Sequence, residues 1–267
     1  MTARSPPSGS GCDVASASDP APVNFLLIEA HELDDYGRAV LRGRRARHVV
    51  EVLHAEVGAR LRAGVVDGAL GEAVVERLGP GEVQVRVRVE RLSAPATDTL
   101  LLAAPRPKVL LRMLSHAAAL GFGRIVLFRS WRVDKSWLQS RAFDVDAQRE
   151  QLLLGLEQAG RTRMPEVLRF DRFKPMVEDE LPDLGLPPLR FVAHPSAATP
   201  TAALAAVRGP FALALGPDGG LLDYEVAQLR GAGFHAVSAG PHPLRTETAL
   251  AVLQGQLDLL RCAPARR

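Results

Sequence analysis

Cysteine is nearly absent from this 267-residue chain: Cys12 and Cys262 lie near opposite ends, and neither has a partner at C-x-x-C or metal-ligand spacing. That argues against a disulfide framework and a structural zinc site, and it predicts a reducing, cytoplasmic setting with no bound metal. Long hydrophobic runs are missing too. Segments such as Thr99 to Ala104 are far too short to cross a bilayer, so no membrane role is expected. The first 22 residues are rich in Ser, Pro, Ala and Gly and lack the apolar stretch of a secretory signal. They read as a disordered tail or an over-long gene start, with ordered pattern beginning at Val23. Lysine occurs only at 108, 135 and 174, so the 33 basic residues, against 30 acidic ones, are almost all arginine. The net charge is +3 and the isoelectric point about 9.2. Codon bias toward GC accounts for such a total, and phosphate binding is therefore argued only where arginines cluster.

What the chain does have is apolar sequence, 47 % of residues, enough for a large core, and a length that fits two ordinary domains. From Val23 to about Leu92 the apolar residues come in short runs: Asn24 to Ile28, Arg60 to Val65, Leu70 to Val75 and Glu82 to Val89. Turn signals at Val57-Gly58, Asp67-Gly68 and Gly79-Pro80-Gly81 separate them, and a helical stretch from Arg44 to Leu53 interrupts them. This predicts a small β-barrel over 23–92, with Ser93 to Asp98 as a linker. Beyond residue 99 the period changes. Strand-like segments (Thr99 to Ala104, Arg124 to Phe128, Val167 to Phe170, Arg190 to His194, Phe211 to Leu215, His235 to Ala239) alternate with helix-like ones (Lys108 to Leu120, Asp144 to Gly160, Asp223 to Ala232, Thr246 to Arg261). The alternation predicts an α/β domain with a mainly parallel sheet over 99–267.

Two loops carry the chemistry. Gly216-Pro217-Asp218-Gly219-Gly220 follows one predicted strand, and Ala239-Gly240-Pro241-His242-Pro243-Leu244-Arg245-Thr246-Glu247-Thr248-Ala249 follows another. In open parallel sheets ligands sit beyond the carboxyl ends of the strands, where such loops meet, and His194-Pro195-Ser196 is placed to join them. Gly219-Gly220 permits positive φ and close approach to bare backbone. Neither loop has the G-x-G-x-x-G or P-loop pattern, which disfavours a dinucleotide or a nucleoside triphosphate. Ordinary capping accounts for Thr246 as an N-cap and for Glu247 near the helix dipole. It leaves Arg245, at the positive end of a helix, without a reason.

These loops resemble the cofactor loops of the SPOUT methyltransferases, the knotted RNA-methylating superfamily, and especially its bacterial branch that methylates N3 of a uridine in 16S ribosomal RNA. That branch carries G-P-E-G-G, a following helix with a Glu (here Glu225), and L-G-x-x-I-L-R-x-E-T-A. Further matches are Arg106-Pro107-Lys108, Glu157-Gln158 with Arg161 and Pro165, and His48 with Val52-Leu53 and Gly58. The resemblance covers Val23 to about Leu260. It implies a PUA-like barrel for RNA, a carboxyl-terminal domain whose chain end threads a trefoil knot, a homodimer that builds each active site, and S-adenosylmethionine as cofactor. The cofactor-binding positions it implies are His194, Gly216, Pro217, Asp218, Gly219, Gly220, Ala239, Gly240, Pro241, Leu244 and Thr248, with Arg245 and Glu247 beside the reacting centre. The chain departs from the family at His116-Ala117-Ala118-Ala119, where K-A-T-E is frequent, and at Asp218, Ala239, Pro243 and His54. These departures bear on substrate choice more than on cofactor choice.

Arg245 is the expected cation for the uracil oxygens or a phosphate, and Glu247 is either the base for the N3 proton or the carboxylate that orients Arg245. N3 lies on the Watson-Crick edge, so the target base must leave its stack, which calls for clamps on the RNA backbone. Arg38, Arg42, Arg44, Arg45 and Arg47, with His48 adjoining, form the clearest basic cluster. Arg129, Arg132 and Lys135, interleaved with Trp131 and Trp137, form a second; its tryptophans are either stacking platforms or core residues. Arg161 completes the expected RNA contacts. The partner the resemblance implies is 16S ribosomal RNA in the small ribosomal subunit. Two other readings are a different SPOUT enzyme, such as a ribose 2′-O-methyltransferase, and a non-catalytic RNA-binding or ribosome-assembly protein. The L-R-x-E-T-A ending argues against the first, and intact Arg245, Glu247 and Gly219-Gly220 against the second.

Overall fold

The computed structural model describes residues 25–204 and 206–262. The tail expected over 1–22, with Cys12, lies outside them. The amino-terminal strands are β1 (Phe25–Ile28), β2 (Arg38–Arg42), β3 (Arg60–Val65), β4 (Ala69–Gly79) and β5 (Glu82–Leu92). They form one sheet in the order β1-β3-β4-β5-β2, parallel between β1 and β3 and antiparallel elsewhere. Alternation in β5 turns Val83, Val85 and Val87 inward onto Leu26, Ile28, Leu41, Leu61 and Val75. A short helix α1 (Gly43–Arg47), continued by a π-type turn His48–Val52, covers this core with Ala46 and Val49. The ladder is not closed into the expected barrel, because β1 and β2 remain its two edges. The β1 edge is met instead by Arg45 of α1, whose guanidinium donates to the Leu27 carbonyl at 3.1 Å.

The rest of the chain builds a six-stranded, wholly parallel sheet. Its elements are β6 (Asp98–Ala103), α2 (Pro107–Leu120), β7 (Phe122–Phe128), α3 (Val145–Ala159), β8 (Glu166–Phe170), the helical turn α4 (Phe173–Pro175), β9 (Leu189–Ala193), β10 (Phe211–Leu215), α5 (Asp223–Gly231), β11 (His235–Val237) and α6 (Thr246–Cys262). The strand order is β11-β9-β10-β6-β7-β8. The central strand β10 is apolar at every position, and β6 is apolar from Leu100 onward, because both faces are covered there. Leu100, Leu102, Leu213 and Leu215 pack with α2 and α6, while Leu101, Ala103, Ala212 and Ala214 pack with Phe173, Met176 and Leu229. Since all strands point the same way, the loops after β9, β10 and β11 emerge at one end.

The two sheets are joined by direct contacts. Phe25 and Leu27 of β1 share an apolar cluster with Leu152 and Leu156 of α3. Around that contact Arg149 reaches Glu29 at 2.5 Å, Arg44 reaches Glu157 at 2.6 Å, and the Thr162 hydroxyl donates to the Gly68 carbonyl at 2.9 Å. Asp98, expected as the end of the linker, is instead 5 % exposed and opens β6. Its carboxylate accepts from the Phe211 N–H at 3.0 Å and from Arg261 at 2.8 and 3.0 Å, pinning the end of α6 to two central strands. Among the described residues no helix is long and apolar enough to cross a membrane, and no cluster of His, Cys, Asp and Glu could hold a metal ion.

Candidate active site at the carboxyl ends of the parallel strands

The loops after β9, β10 and β11 enclose a cavity of about 370 Å³. His194 and Ser196 line it from the first loop, Gly216 to Leu221 from the second, and Ala239, Gly240, His242, Pro243 and Leu244 from the third. Thr246, Ala249 and Leu253 of α6 form the floor, one helical face spaced three and four residues apart. The Gly220 N–H closes a turn onto the Pro217 carbonyl at 2.7 Å, with Gly220 at φ +73°, a conformation that favours glycine. A side chain at Gly216 would bring its Cβ to 2.8 Å from the Leu221 nitrogen, so this turn can close only on glycine.

Helix α6 bonds to the second and third loops. The Thr246 hydroxyl, 5 % exposed, donates to the Gly216 carbonyl at 3.2 Å. Further along, the Gln256 amide donates to the Ala239 carbonyl at 3.0 Å. The first loop is strapped to the third: the Thr201 N–H and hydroxyl both donate to the Ser238 carbonyl, at 2.9 and 3.1 Å. Thr246 is the first helical residue and not the N-cap expected of it, because Arg245 precedes the helix and its carbonyl accepts from Ala249. Behind the second loop the Glu225 carboxylate, 1 % exposed, accepts from the Leu222 and Trp131 N–H groups, both at 2.8 Å.

Of the expected cofactor positions, Pro241 and Thr248 stand outside the cavity. Both are exposed, and Thr248 is turned away by the helical period that puts Thr246 and Ala249 inside. Arg245 is exposed between two lining residues, Leu244 and Thr246, and among the described residues its side chain has no ion-pair partner. Glu247 does not pair with it. Its carboxylate accepts from Arg112 of α2 at 2.7 Å. The Asp218 carboxylate faces Arg106, just before α2, at 4.0 Å. Arg106 belonged to a matched motif, but Arg112 carried no sequence signal, since only the tertiary fold brings α2 against the start of α6.

Comparison with known proteins gives this geometry its context. A family model described as the RNA methyltransferase domain matches residues 93–257. The ribosomal RNA small subunit methyltransferase E of Treponema pallidum is 31 % identical over 235 residues, covering 85 % of this chain and 87 % of its own length. Its namesake from Mycobacterium bovis is 30 % identical over 249 residues, covering 88 % of this chain and 92 % of its own. The chain belongs to this methyltransferase family. In fold it matches the crystal structure of the family member from Neisseria gonorrhoeae bound to S-adenosyl methionine, with a TM-score of 0.67 at 21 % identity, over 88 % of this chain and 96 % of that one. The cavity suits that cofactor by its own chemistry. Bare backbone along the 216–220 turn and the apolar Leu215, Leu221, Leu244 and Leu253 fit a flat ring, and Asp218, His194 and Ser196 offer polar groups for a ribose and an amino acid.

The arginines expected to touch RNA are mostly engaged. Arg38 pairs with Glu76 at 3.1 Å, Arg42 with Glu82 at 3.3 Å, and Arg44 with Glu157 at 2.6 Å. Arg45 is held between Glu32 and the Leu27 carbonyl, a structural place rather than a clamp. Its guanidinium is stabilised foremost by the hydrogen bond it donates to Glu32, which raises its pKa. The run lacks acids in sequence, but other elements supply them. Arg47 is exposed with no such partner among the described residues, and His48 lines a small recess with Arg44, Glu157 and Gln158. Arg161 lies across Gly121 at the end of α2. Arg132 donates to the Gly219 carbonyl and lines the cofactor cavity, so it is a wall of that site. Trp131 is 81 % exposed, so the core reading does not hold for this residue.

Proposed function

We propose that this protein transfers a methyl group from S-adenosylmethionine to N3 of a uridine in 16S ribosomal RNA of the small ribosomal subunit. The observation that carries the reading is the cavity where the three loops meet, floored by α6 and walled by glycine backbone, in a chain of the small-subunit methyltransferase family. When bound, S-adenosylmethionine supplies an electrophilic methyl group on a sulfonium. His194, Asp218 and the backbone of the 216–220 and 239–244 turns hold it; Leu221 and Leu253 give it apolar walls that exclude water. Arg245, solvent-facing beside the cavity, meets the target base or its phosphate and stabilises charge on a uracil oxygen as the N3 proton passes to solvent water. Glu247, fixed by Arg112, positions that end of α6.

The finer architecture belongs to the same proposal. Residues 25–92 serve as a PUA-like RNA-binding domain and 98–262 as the SPOUT domain. The order β11-β9-β10, with the loop after β9 strapped to Ser238, supports a trefoil knot in which α6 is drawn beneath the loops. Such knots are rare exceptions to the rules of chain connection. Exposed Leu244 beside the cavity and Leu259 on α6 support a homodimer that completes each site. The setting is cytoplasmic, where small subunits are assembled. Calorimetric titration with S-adenosylmethionine tests the reading: binding at about one site per chain is expected, and no detectable affinity would overturn it.

A further inference from the structure

Next to the cofactor cavity lies a second one of about 550 Å³ that the reaction so far leaves unused. Three segments far apart in sequence converge on it: the loop after β7, the turn after β8 and the start of α5. Four cations line it, Arg129, Lys135, Arg172 and Lys174. One acid does, Glu225, and both its oxygens are taken by backbone N–H groups. The aromatic groups are Trp131, which stands in solvent, Tyr224, half exposed, and Phe173, whose ring meets Tyr224 at 6.5 Å and the core residue Phe128 at 5.6 Å. Ser130, 1 % exposed, lines the same space, and among the described residues its hydroxyl has no hydrogen-bond partner.

We propose that this groove is a nucleotide subsite that seats the RNA strand flanking the target uridine, with a base stacked on Trp131 and phosphates on Arg172 and Lys174. Cations that track a backbone, beside an exposed ring, are what single-stranded RNA requires, and the ring accepts any base. Arg129 spends its Nε on the Asp171 carbonyl at 2.9 Å, which aims the rest of the guanidinium. Lys174 has only a loose, exposed partner in Glu178 at 3.7 Å. Glu225 and Arg132 couple the groove to the cofactor loop, since one receives Trp131 and Leu222 and the other reaches Gly219. A strand seated here therefore runs toward the methyl-transfer site. The inference rests on the methyltransferase reading for the identity of its ligand.

The chain has two tryptophans, so Trp137→Phe leaves Trp131 as the reporter. A fluorescently labelled single-stranded oligoribonucleotide is titrated into this variant, following its anisotropy and the tryptophan emission together. Trp131 emission is expected to quench with the same midpoint as binding. Trp131→Ala should weaken RNA binding about fivefold or more, and Arg172→Ala and Lys174→Ala should each lower the salt slope by about one, all with S-adenosylmethionine affinity unchanged. RNA binding with Trp131 unquenched, or an unchanged Kd in Trp131→Ala, overturns the groove and leaves the proposed activity standing. A parent protein that binds neither oligoribonucleotide nor S-adenosylmethionine overturns both.

Discussion

Glu247, in the first turn of α6, is held at 2.7 Å by Arg112 of α2 and not by Arg245 two residues before it. The geometric effect of this contact is to tie the helix that starts at the cavity to the helix beside it. Arg112→Ala and Glu247→Ala should each slow turnover with S-adenosylmethionine affinity intact, and the double variant should be no slower than the slower single one, as expected for two ends of one contact. Multiplicative losses in steady-state kinetics would show that Glu247 acts separately from Arg112.

The bond from Thr246 to the Gly216 carbonyl joins the start of α6 to the loop after β10. Thr246→Val keeps the shape and removes the donor, at a cost of about 1 kcal/mol in stability. Because the free energy is lost where the loops meet, the Kd for S-adenosylmethionine should rise severalfold. Gly220→Ala forces a Cβ into φ +73° and should weaken cofactor binding more. Calorimetry on the two variants checks the order.

Asp98 carries a different kind of burden. Its buried carboxylate accepts from Phe211 and from Arg261, and the Arg261 guanidinium also stacks 4.8 Å from the Phe211 ring. Asp98→Ala leaves a partly buried cation and a strand N–H without their acceptor, and it should destabilise the parallel-sheet domain by about 3–5 kcal/mol. Chemical unfolding measures this directly. The damage should appear in stability before it appears in the chemistry, because the residue lies at the opposite end of the strands from the cavity.

The amino-terminal sheet carries an acid-sensitive pair. Arg86, donating at 2.5 Å, and Arg38 behind it hold the Glu76 carboxyl below the usual carboxylate range. A depressed folded-state pKa contributes stability above the unfolded value, near pH 4.3, and that contribution is lost as pH falls through the lower folded value. Glu76→Gln should therefore lower stability at neutral pH and flatten the acid limb of the unfolding midpoint between about pH 5 and 3. An acid limb of unchanged steepness would assign the loss to other carboxylates.

The centre of the second sheet was legible because its strands are covered on both faces: Phe211–Leu215 reads as an unbroken apolar run and folds as one. The edge strand β2 was not legible. Of its residues only Ala39 and Leu41 face the core, so Arg38 and Arg42 read as part of a basic cluster when they are the outward positions of a strand, each matched to a glutamate across the sheet. The cofactor loops were visible from Gly216-Pro217-Asp218-Gly219-Gly220 and the Leu244-Arg245-Thr246-Glu247 run alone. What holds them was not, since Arg112, Gln256 and Thr201 meet their partners only once helices and loops have packed.

The central claim is methyl transfer to uridine N3. The most direct test incubates the protein with small-subunit RNA and small subunits lacking the modification, using S-adenosylmethionine with an isotopically labelled methyl group, and then digests the RNA to nucleosides for mass spectrometry. The account predicts label in 3-methyluridine, reduced about a hundredfold or more in Arg245→Ala with the fold intact. Label in a ribose-methylated nucleoside, or none in the RNA, would contradict it.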